Sequence, residues 1–278
     1  WHRKGSGVTD ERWLEGMVAF VTGAGRGEDG GGGAGIARAL ARHGARVVVN
    51  DLTEEAIAAT VTQIQQRGGE AWGIVGDVSN PRDAERMIDA TVERFGQIDI
   101  LANNAALGGL VPAIERLTDD IWHRQVAVDL SGPFFMSRAA LRHMIPRRFG
   151  RIVNIGSLAG IRTGFVSGAP YTTAKSGLIG LTRQMAAEFA PFGITVNVLL
   201  PTGIRNPAIM RRRPDLFQGN DRQLGPLDPE EEIGKLVAFL ARRDVGFISG
   251  AAIPLDRGLG SALGNFVEYA RRSGKDIG

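Results

Sequence analysis

Short apolar runs alternate with longer amphipathic stretches along the chain. The apolar runs are rich in β-branched residues and end in turn residues, which is typical of strands buried on both faces. They predict strands at 17–23, 46–51, 71–77, 98–105, 151–157, 194–201 and 251–256. Because helical stretches of crossover length separate them, we expect an α/β fold with a doubly wound, mostly parallel sheet of about seven strands and helices on both faces.

The amphipathic stretches carry helix start signals. Thr53 stands before Glu54 and Glu55 as an N-cap would, and Asn80-Pro81 opens the next stretch. The predicted helices cover 36–43, 53–67, 80–95, 118–148, 169–190 and 229–241. We expect the fourth of these to break near Gly132-Pro133, because proline interrupts helical hydrogen bonding. Residues 202–228 show no clear periodicity.

The pattern predicts a single domain over residues 17–261. Residues 1–16 are polar and of mixed charge, and we expect them to form an N-terminal extension. Residues 262–278 are expected to form a polar C-terminal tail. No repeat of fixed period and no low-complexity linker divides the chain.

The amino-acid composition excludes several kinds of site and partner. Hydrophobic residues make up 43% of the chain and charged residues 23%, which is typical of a globular domain. The absence of cysteine excludes disulfides and thiolate metal sites, and the four histidines lack metal-ligand spacing. The net charge of +3 does not favour nucleic acid as a partner. With no apolar run of membrane length and no signal-like N-terminus, we expect no membrane partner and a cytoplasmic location.

Glycine is unusually frequent, with 39 residues in 278, and it concentrates after the first predicted strand. The segment TGAGRG (22–27) lies between a strand and a helix, where glycines let the backbone approach a pyrophosphate. Asp51 ends the second strand, and a carboxylate there accepts ribose hydroxyls and repels a 2′-phosphate. The pattern predicts a dinucleotide-binding Rossmann fold that prefers NAD to NADP. The alternative is that Asp51 merely caps the turn after its strand.

Residues 28–34 (EDGGGGA) make this turn longer than a dinucleotide requires. We interpret them as a tolerated surface insertion, since lengthening a flexible loop costs little free energy. The four consecutive glycines lose much backbone entropy on ordering, so we expect a mobile loop. The alternative is that the segment remodels the cofactor mouth, where Glu28 and Asp29 would add negative charge near the phosphates.

Ser157, Tyr171 and Lys175 form a second constellation. Ser157 ends the fifth strand, and Tyr171 and Lys175 are four residues apart at the start of a helix, so they share one face. Hydride transfer to or from a nicotinamide requires a proton to move at the substrate oxygen. A phenol is a poor base at neutral pH unless a neighbouring ammonium favours the phenolate. A serine hydroxyl can hold the substrate oxygen as charge shifts.

These sites and several further motifs resemble the short-chain dehydrogenase/reductase family over residues 17–260. The matching motifs are TGAGRG, Asp77-Val78, NNAA (103–106), NIGS (154–157), YTTAK (171–175) and ITVNVLLPTG (194–203). The resemblance implies an NAD(P)-dependent oxidoreductase that interconverts a secondary alcohol and a ketone, with Tyr171 as general acid/base. It also implies cofactor contacts from Gly23, Gly25, Gly27, Gly35, Ile36, Asp51, Leu52, Asp77, Val78, Asn103, Ala105, Tyr171, Lys175, Pro201, Gly203 and Ile204.

The chain departs from the family pattern at several positions. Asp129 stands where the family usually has an asparagine that helps hold a water linking the lysine to solvent. We include Asp129 in the catalytic set, although an ionised carboxylate near Lys175 would partly cancel its effect on Tyr171. The next glycine of the nucleotide motif aligns with Ala37, and Asn206 replaces a common threonine. These differences bear on cofactor geometry rather than on the chemistry.

Two other functions compete with this interpretation. A 3-oxoacyl-thioester reductase would use basic residues to face its carrier, and the candidates are Arg142, Arg147, Arg148 and Arg151. Phe192, where carrier-dependent relatives have a basic residue, and Asp51 argue against it, whereas Arg26 is a feature of NADPH users. The arginines are otherwise a solvated helix end. A non-catalytic scaffold of the same fold is suggested by the glycine insertion and Asp129, and opposed by the intact Ser157, Tyr171 and Lys175.

The expected substrate is a mid-sized apolar alcohol or ketone. The predicted pocket wall contains Phe165, Val166, Ile209, Met210, Leu216 and Phe217, with Arg211–Arg213 nearby. We also expect a homo-oligomer, a tetramer or a dimer, because the helices at 118–148 and 169–190 resemble those that the family packs between subunits. The residues expected at that interface are Met136, Ala139, Ala140, Met185, Ala186 and Phe189.

Overall fold

The structure is a computed structural model that describes residues 12–27, 31–108, 111–162, 168–204, 226–258 and 260. Its strands are β1 (Val18–Val21), β2 (Arg46–Asp51), β3 (Ala71–Val75), β4 (Ile100–Asn103), β5 (Gly150–Ile155), β6 (Ile194–Pro201) and β7 (Ala252–Leu255). Its helices are α1 (Gly32–Arg42), α2 (Glu54–Gln66), α3 (Pro81–Phe95), α4 (Asp119–Val126), α5 (Gly132–Arg147), α6 (Gly168–Phe189) and α7 (Lys235–Ala241).

The seven strands form one parallel sheet in the order β3-β2-β1-β4-β5-β6-β7. At its centre, Val21 of β1 lies beside Val49 of β2 and Ala102 of β4. The strand order reverses between β1 and β4, and ligands of doubly wound sheets bind at the carboxyl end of such a reversal. Two large hydrophobic clusters flank the sheet: one packs α1 and α7 against it, and the other packs α3 and α5. The predicted fold class is confirmed.

Helix starts follow their sequence signals. The Thr53 side chain accepts a hydrogen bond from the Ala56 N–H, and the Asn80 side chain accepts one from the Arg82 N–H. The predicted break in the fourth helix near Gly132-Pro133 is wrong, because the backbone stays right-handed helical from Val126 to Gly132. A π-helical segment, Ala127–Ser131, joins α4 to α5 there. Segments of this kind often mark functional sites, because the extra residue re-aims a side chain.

Helix α1 begins four residues earlier than the sequence pattern predicts. The interpretation of residues 28–34 as a surface loop is therefore wrong for Gly32–Ala34, which form the first turn of α1. Residues 28–30 lie outside the described part. Ala34 is fully buried, and a Cβ built on Gly33 would overlap the Gly23 carbonyl oxygen. Close packing of α1 against the end of β1 therefore overrides the low helix propensity of glycine.

The end of the predicted extension packs against the domain. Leu14 is fully buried, and its N–H donates to the His43 carbonyl at 2.9 Å. The Trp13 ring stacks on the His43 ring with centroids 4.4 Å apart. Residues 12–16 therefore extend the domain on its N-terminal side, whereas residues 1–11 and the predicted tail at 262–278 lie outside the described ranges.

Most residues expected at a subunit interface are buried within the chain instead. The residues with at most 6% exposure are Met136, Ala139, Ala140, Met185 and Ala186, and they belong to the cluster under α5 and α6. That part of the interface prediction is wrong, because these small and apolar side chains pack the helices onto their own sheet. On α5 the large apolar side chain that faces outward is Phe134, with 40% exposure.

The approach of Gly33 to Gly23 yields a stability prediction. We expect Gly33→Ala to destabilise the fold by roughly 1–3 kcal/mol, because its methyl group would overlap the Gly23 carbonyl and force backbone movement. Gly180→Ala in α6 is the matched control. A Cβ built on Gly180 meets nothing within 4 Å, so we expect stabilisation by about 0.5–1 kcal/mol. Urea unfolding of both variants measures this; a Gly33→Ala variant as stable as the wild type would contradict the assigned packing.

Candidate active site

Ser157 lies just beyond the carboxyl end of β5. Its side-chain oxygen accepts a hydrogen bond from the Ala159 N–H at 3.2 Å, at the start of a short 3-10 turn, Leu158–Gly160. This turn packs directly on α6, where the Ser176 hydroxyl donates to the Gly160 carbonyl at 2.9 Å. The turn therefore holds Ser157 beside the helix that carries the other two predicted catalytic residues, and leaves the serine proton available for donation.

Tyr171 and Lys175 occupy the first turns of α6. The Tyr171 side chain is partly exposed, whereas Lys175 is only 2% exposed. The Lys175 Nζ donates to the Ile155 carbonyl at 3.0 Å and lies 5.5 Å from the centroid of the Tyr171 ring. The Lys175 ammonium and the N-terminus of α6 therefore both place positive charge near the Tyr171 ring.

Asp129 faces Lys175 from the π-helical segment. Its side chain is fully buried, and its Oδ2 lies 3.8 Å from the Lys175 Nζ. Its Oδ1 accepts a hydrogen bond from the Leu107 N–H at 2.8 Å, and its Oδ2 accepts one from the Gln125 side chain at 2.9 Å. Burial raises the pKa of Asp129, while Lys175 and these hydrogen bonds oppose that rise.

Asp51 lies at the carboxyl end of β2, on the same edge of the sheet. Its two carboxylate oxygens accept hydrogen bonds from the Gly25 N–H at 3.0 Å and the Leu52 N–H at 2.8 Å. The capping role considered as an alternative is therefore present. An ionised carboxylate offers about four lone-pair sites, so capping leaves room for ribose hydroxyls. Leu52 is 63% exposed beside it.

The N-terminus of α1 forms the floor between β1 and β4. The Asn104 side chain donates to the carbonyls of Thr22 and Gly23 at 3.1 and 3.0 Å. A Cβ built on Gly32 would lie 2.9 Å from the Asn104 Oδ1 and 3.8 Å from the Ile204 side chain. Because Gly32 has no side chain, a cradle remains at the N-terminus of α1. The first N–H groups of this helix lack intrahelical hydrogen-bond acceptors there, since no carbonyl group lies one turn before them. This cradle and Asp51 fit the pyrophosphate and the adenosine ribose of a dinucleotide.

Several predicted cofactor residues lie along this edge. Gly23 has φ 59°, a left-handed value that favours glycine, and Ala105 packs against it while its N–H donates to the Thr22 hydroxyl at 3.0 Å. Gly203 follows β6, and Ile204 pairs with Leu227 in an isolated bridge. Other members of the predicted set near this edge are Gly25, Gly27, Asp77 and Pro201.

Other predicted cofactor residues contribute packing. Gly35 faces Pro229, which an added Cβ would overlap, and Ile36 is fully buried in the core. Gly33, rather than Gly35 or the aligned Ala37, makes the close approach to β1. The Asn103 side chain bonds to Ser137 and Asn154 inside the molecule, and Val78 is 5% exposed. We therefore do not propose side-chain contacts with a cofactor for Ile36, Val78 or Asn103.

The structure adds residues that the sequence analysis missed. Thr22 and Asn104 join β1 to the segment after β4, and both lie inside motifs from which only the glycines, Asn103 and Ala105 were selected. Gln125 and the Leu107 backbone hold Asp129. A signal existed for Gln125, since it lies four residues before Asp129 and thus on the same helical face.

Part of the predicted pocket wall lies outside the described residues. Phe165, Val166, Ile209, Met210, Arg211–Arg213, Leu216 and Phe217 belong to that part, as does Asn206. Within the described ranges, no group of three or more His, Asp or Glu side chains is placed to hold a metal ion. No helix in this described part is long and apolar enough to span a membrane.

Comparison with known proteins gives a consistent result. The family model described as enoyl-(acyl carrier protein) reductase matches residues 25–260. An uncharacterized oxidoreductase of Thermotoga maritima is 37% identical over 255 residues, covering 88% of this chain and 98% of the relative. The 3-oxoacyl-[acyl-carrier-protein] reductase FabG of Escherichia coli is 34% identical over 248 residues, covering 88% and 98%.

A solved structure is similar to this chain in its fold as well as in its sequence. A polyketide ketoreductase of the actinorhodin system, determined with NADPH, has a TM-score of 0.80 at 31% identity, covering 88% of this chain and 98% of that one. The matches span nearly the whole length of each relative. The chain therefore belongs to the short-chain dehydrogenase/reductase family, and it is an NAD(P)-dependent oxidoreductase that acts on CH–OH groups.

Proposed function

We propose that Tyr171 is the general acid/base in the interconversion of a secondary alcohol and a ketone. The observation that supports this most strongly is the buried Lys175 ammonium, 5.5 Å from the Tyr171 ring centroid and fixed by the Ile155 carbonyl. A fixed positive charge beside a partly exposed phenol favours the phenolate, which is the form of tyrosine that accepts a proton from the substrate.

When NAD(P) is bound, its nicotinamide would supply the hydride chemistry, accepting a hydride in oxidation and providing one in reduction. In the direction of oxidation, Tyr171 takes the proton from the substrate hydroxyl as the carbonyl forms. In reduction it returns that proton to the carbonyl oxygen. Ser157 donates its hydroxyl hydrogen to the substrate oxygen and stabilises the charge that develops there. The Lys175 side chain is buried, so bulk water screens its charge only weakly.

We propose NAD rather than NADP as the cofactor. Asp51 supports this, because its carboxylate lies at the end of β2 and would face a 2′-phosphate with like charge. The exposed apolar Leu52 beside it offers no cation to a phosphate. The NADPH of the ketoreductase structure is a point against the proposal. Arg26, which is exposed and has φ 69°, lies within the glycine-rich turn and is a second point against it, because this arginine is a feature of NADPH users.

The substrate that we propose is a mid-sized apolar alcohol or ketone. Support comes from three partly exposed apolar residues in the segments that follow β4 and β5, namely Leu107, Val111 and Leu158. A 3-oxoacyl-thioester reductase is the second candidate, favoured by the similarity to FabG. The arginine cluster weakens that candidate: Arg142 pairs with Glu85 at 3.0 Å, and Arg147 pairs with Asp99 at 2.7 Å.

The remaining two arginines of this cluster are also engaged. Arg148 donates to the Pro191 carbonyl at 2.7 Å, and Arg151 is 3% exposed and donates to four backbone carbonyls. All these partners belong to the chain itself. The cluster therefore supports a structural role for these arginines more than a docking role for an acidic carrier.

We also propose that the protein is a homo-oligomer, a tetramer or a dimer. The exposed face of α5 supports this, since Phe134 is 40% exposed and Arg138 lies over its ring at 5.2 Å. Aromatic residues and arginine are both enriched at subunit interfaces. The cytoplasmic location expected from the sequence stays a prediction.

Tyr171→Phe tests the acid/base assignment. We expect turnover of the best alcohol in a panel of secondary alcohols to fall by about 10² to 10⁴-fold, the usual loss for a general acid–base group. NAD affinity, measured by calorimetry, should stay nearly unchanged because the ring is retained. A variant that turns over at nearly the wild-type rate would show that another group moves the proton.

The cofactor preference is tested by kinetics with NAD and NADP. We expect catalytic efficiency to favour NAD in the wild type. Asp51→Ala should narrow that preference, because it removes the carboxylate that repels the 2′-phosphate. Glu93→Ala is the matched control, since it removes one exposed carboxylate from α3 and should leave the preference unchanged. Higher efficiency with NADP in the wild type would overturn the assignment to NAD.

A further inference from the structure

Gln125 is the residue on which this inference rests. It lies on α4, one helical turn before Asp129, and is 6% exposed. Its Nε2 is 2.9 Å from the Leu107 carbonyl oxygen and 2.9 Å from the Asp129 Oδ2. A single amide nitrogen therefore uses both of its hydrogens, one on a backbone acceptor and one on a carboxylate.

The contacts of Asp129 all come from donors. The Leu107 N–H bonds to one carboxylate oxygen, the Gln125 amide bonds to the other, and the Lys175 Nζ lies 3.8 Å from the latter. An ionised carboxylate only accepts, so this environment matches the anion. The same property means that Asp129 cannot satisfy the Leu107 carbonyl, which is also an acceptor. Gln125 supplies the missing donor to both.

Among the described residues, few charged or titratable groups lie around Asp129. On α6 the charged group that faces Asp129 is Lys175, and Tyr171 lies one helical turn before Lys175. The segment after β4 contributes the Leu107 backbone, and α4 contributes the neutral Gln125. The ionisation of Asp129 is thus coupled to Lys175 on one side and held by hydrogen bonds on the other.

We propose that Gln125 is a positioning residue: it fixes the Asp129 carboxylate opposite Lys175 and thereby sets the pH range in which Tyr171 works. This rests on the proposed role of Tyr171. The carboxylate partly cancels the charge of the lysine, so the phenolate is favoured less than it would be beside an unopposed ammonium. Gln125 and Asp129 consequently form a donor–acceptor pair, so the effects of replacing them should not be additive.

Substitution of only Gln125 or only Asp129 leaves buried hydrogen-bonding groups unsatisfied. In Asp129→Asn, the new amide NH₂ faces either the Gln125 NH₂ or the Leu107 N–H, so two donors confront each other. In Gln125→Met, the Leu107 carbonyl and the Asp129 Oδ2 both lose their donor in a buried place. The double variant removes the clash between the two amides, but it leaves the Leu107 carbonyl without the donor that Gln125 supplied, so we expect it to behave like Gln125→Met alone.

The experiment is a double-mutant cycle in kcat for alcohol oxidation over a range of pH. We expect Gln125→Met and Asp129→Asn each to lower kcat about tenfold or more, and the double variant to lose no more than Gln125→Met alone rather than the product of the two losses. In the double variant the rise of kcat with pH should begin about half a unit lower or more, because no carboxylate opposes Lys175. Gln184→Met, an exposed change on α6, is the control and should leave both readouts unchanged.

Thermal unfolding of the wild type, the two single variants and the double variant provides a readout that needs no substrate. We expect each single variant to melt lower than the wild type, and the double variant to melt no lower than Gln125→Met. Multiplicative losses in kcat, or melting temperatures that are non-additive without any shift of the pH profile, would overturn the positioning role. Absence of turnover in the wild type with every alcohol would instead contradict the proposed function. The melting temperatures of the four proteins would still measure the coupling between Gln125 and Asp129.

Discussion

A buried ammonium is the interaction on which the candidate site depends. The Lys175 side chain is 2% exposed, and its Nζ bonds to the Ile155 carbonyl at 3.0 Å. A charge removed from water is costly unless it is paired and hydrogen-bonded. The carbonyl of β5, the carboxylate of Asp129 and the ring of Tyr171 share that stabilisation. The geometry around Tyr171 is thus tied to the register of β5, to the π-helical segment and to α6 at once.

The nucleotide-binding side of the site depends on a different constraint, namely the close approach of the α1 backbone to the end of β1. Helix α1 reaches β1 only because Gly33 has no side chain, and Asn104 ties the end of β1 to the segment after β4 through the carbonyls of Thr22 and Gly23. Arg38 extends this packing outward, donating to the Gly27 carbonyl and to the carboxylate that precedes α7 at position 230. The glycine-rich turn is therefore anchored to the segment that leads into α7.

Much of the fold was predictable from the sequence because its signals are local. Strand β2 and helix α3 have the predicted bounds to within one residue, since β-branched runs and an Asn-Pro start leave little ambiguity. The start of α1 was not predictable in this way: four glycines favour a loop by propensity, and only contact with Gly23 makes the last of them helical. The interface prediction on α5 and α6 failed for a related reason, because small apolar side chains pack equally well inside a subunit or between subunits.

The site was predictable at the level of motifs and less so at the level of contacts. Ser157, Tyr171 and Lys175 carry recognisable spacing, and the sequence places them on elements that meet at one edge of the sheet. Gln125 belongs to none of the motifs, and although its spacing places it on the same helical face as Asp129, its proposed role follows from two hydrogen bonds that exist only once α4 lies beside the segment after β4. Residues that act through a neighbour in space leave little trace in a single sequence.

The pH dependence of turnover in Lys175→Met tests the central claim most directly. Methionine keeps most of the length of the buried side chain and removes the charge, and circular dichroism checks that the variant folds. The account predicts that alcohol oxidation by NAD falls at least about 100-fold at neutral pH and recovers in part as the pH rises, because Tyr171 then ionises without the ammonium. Turnover and a pH profile equal to those of the wild type would contradict it.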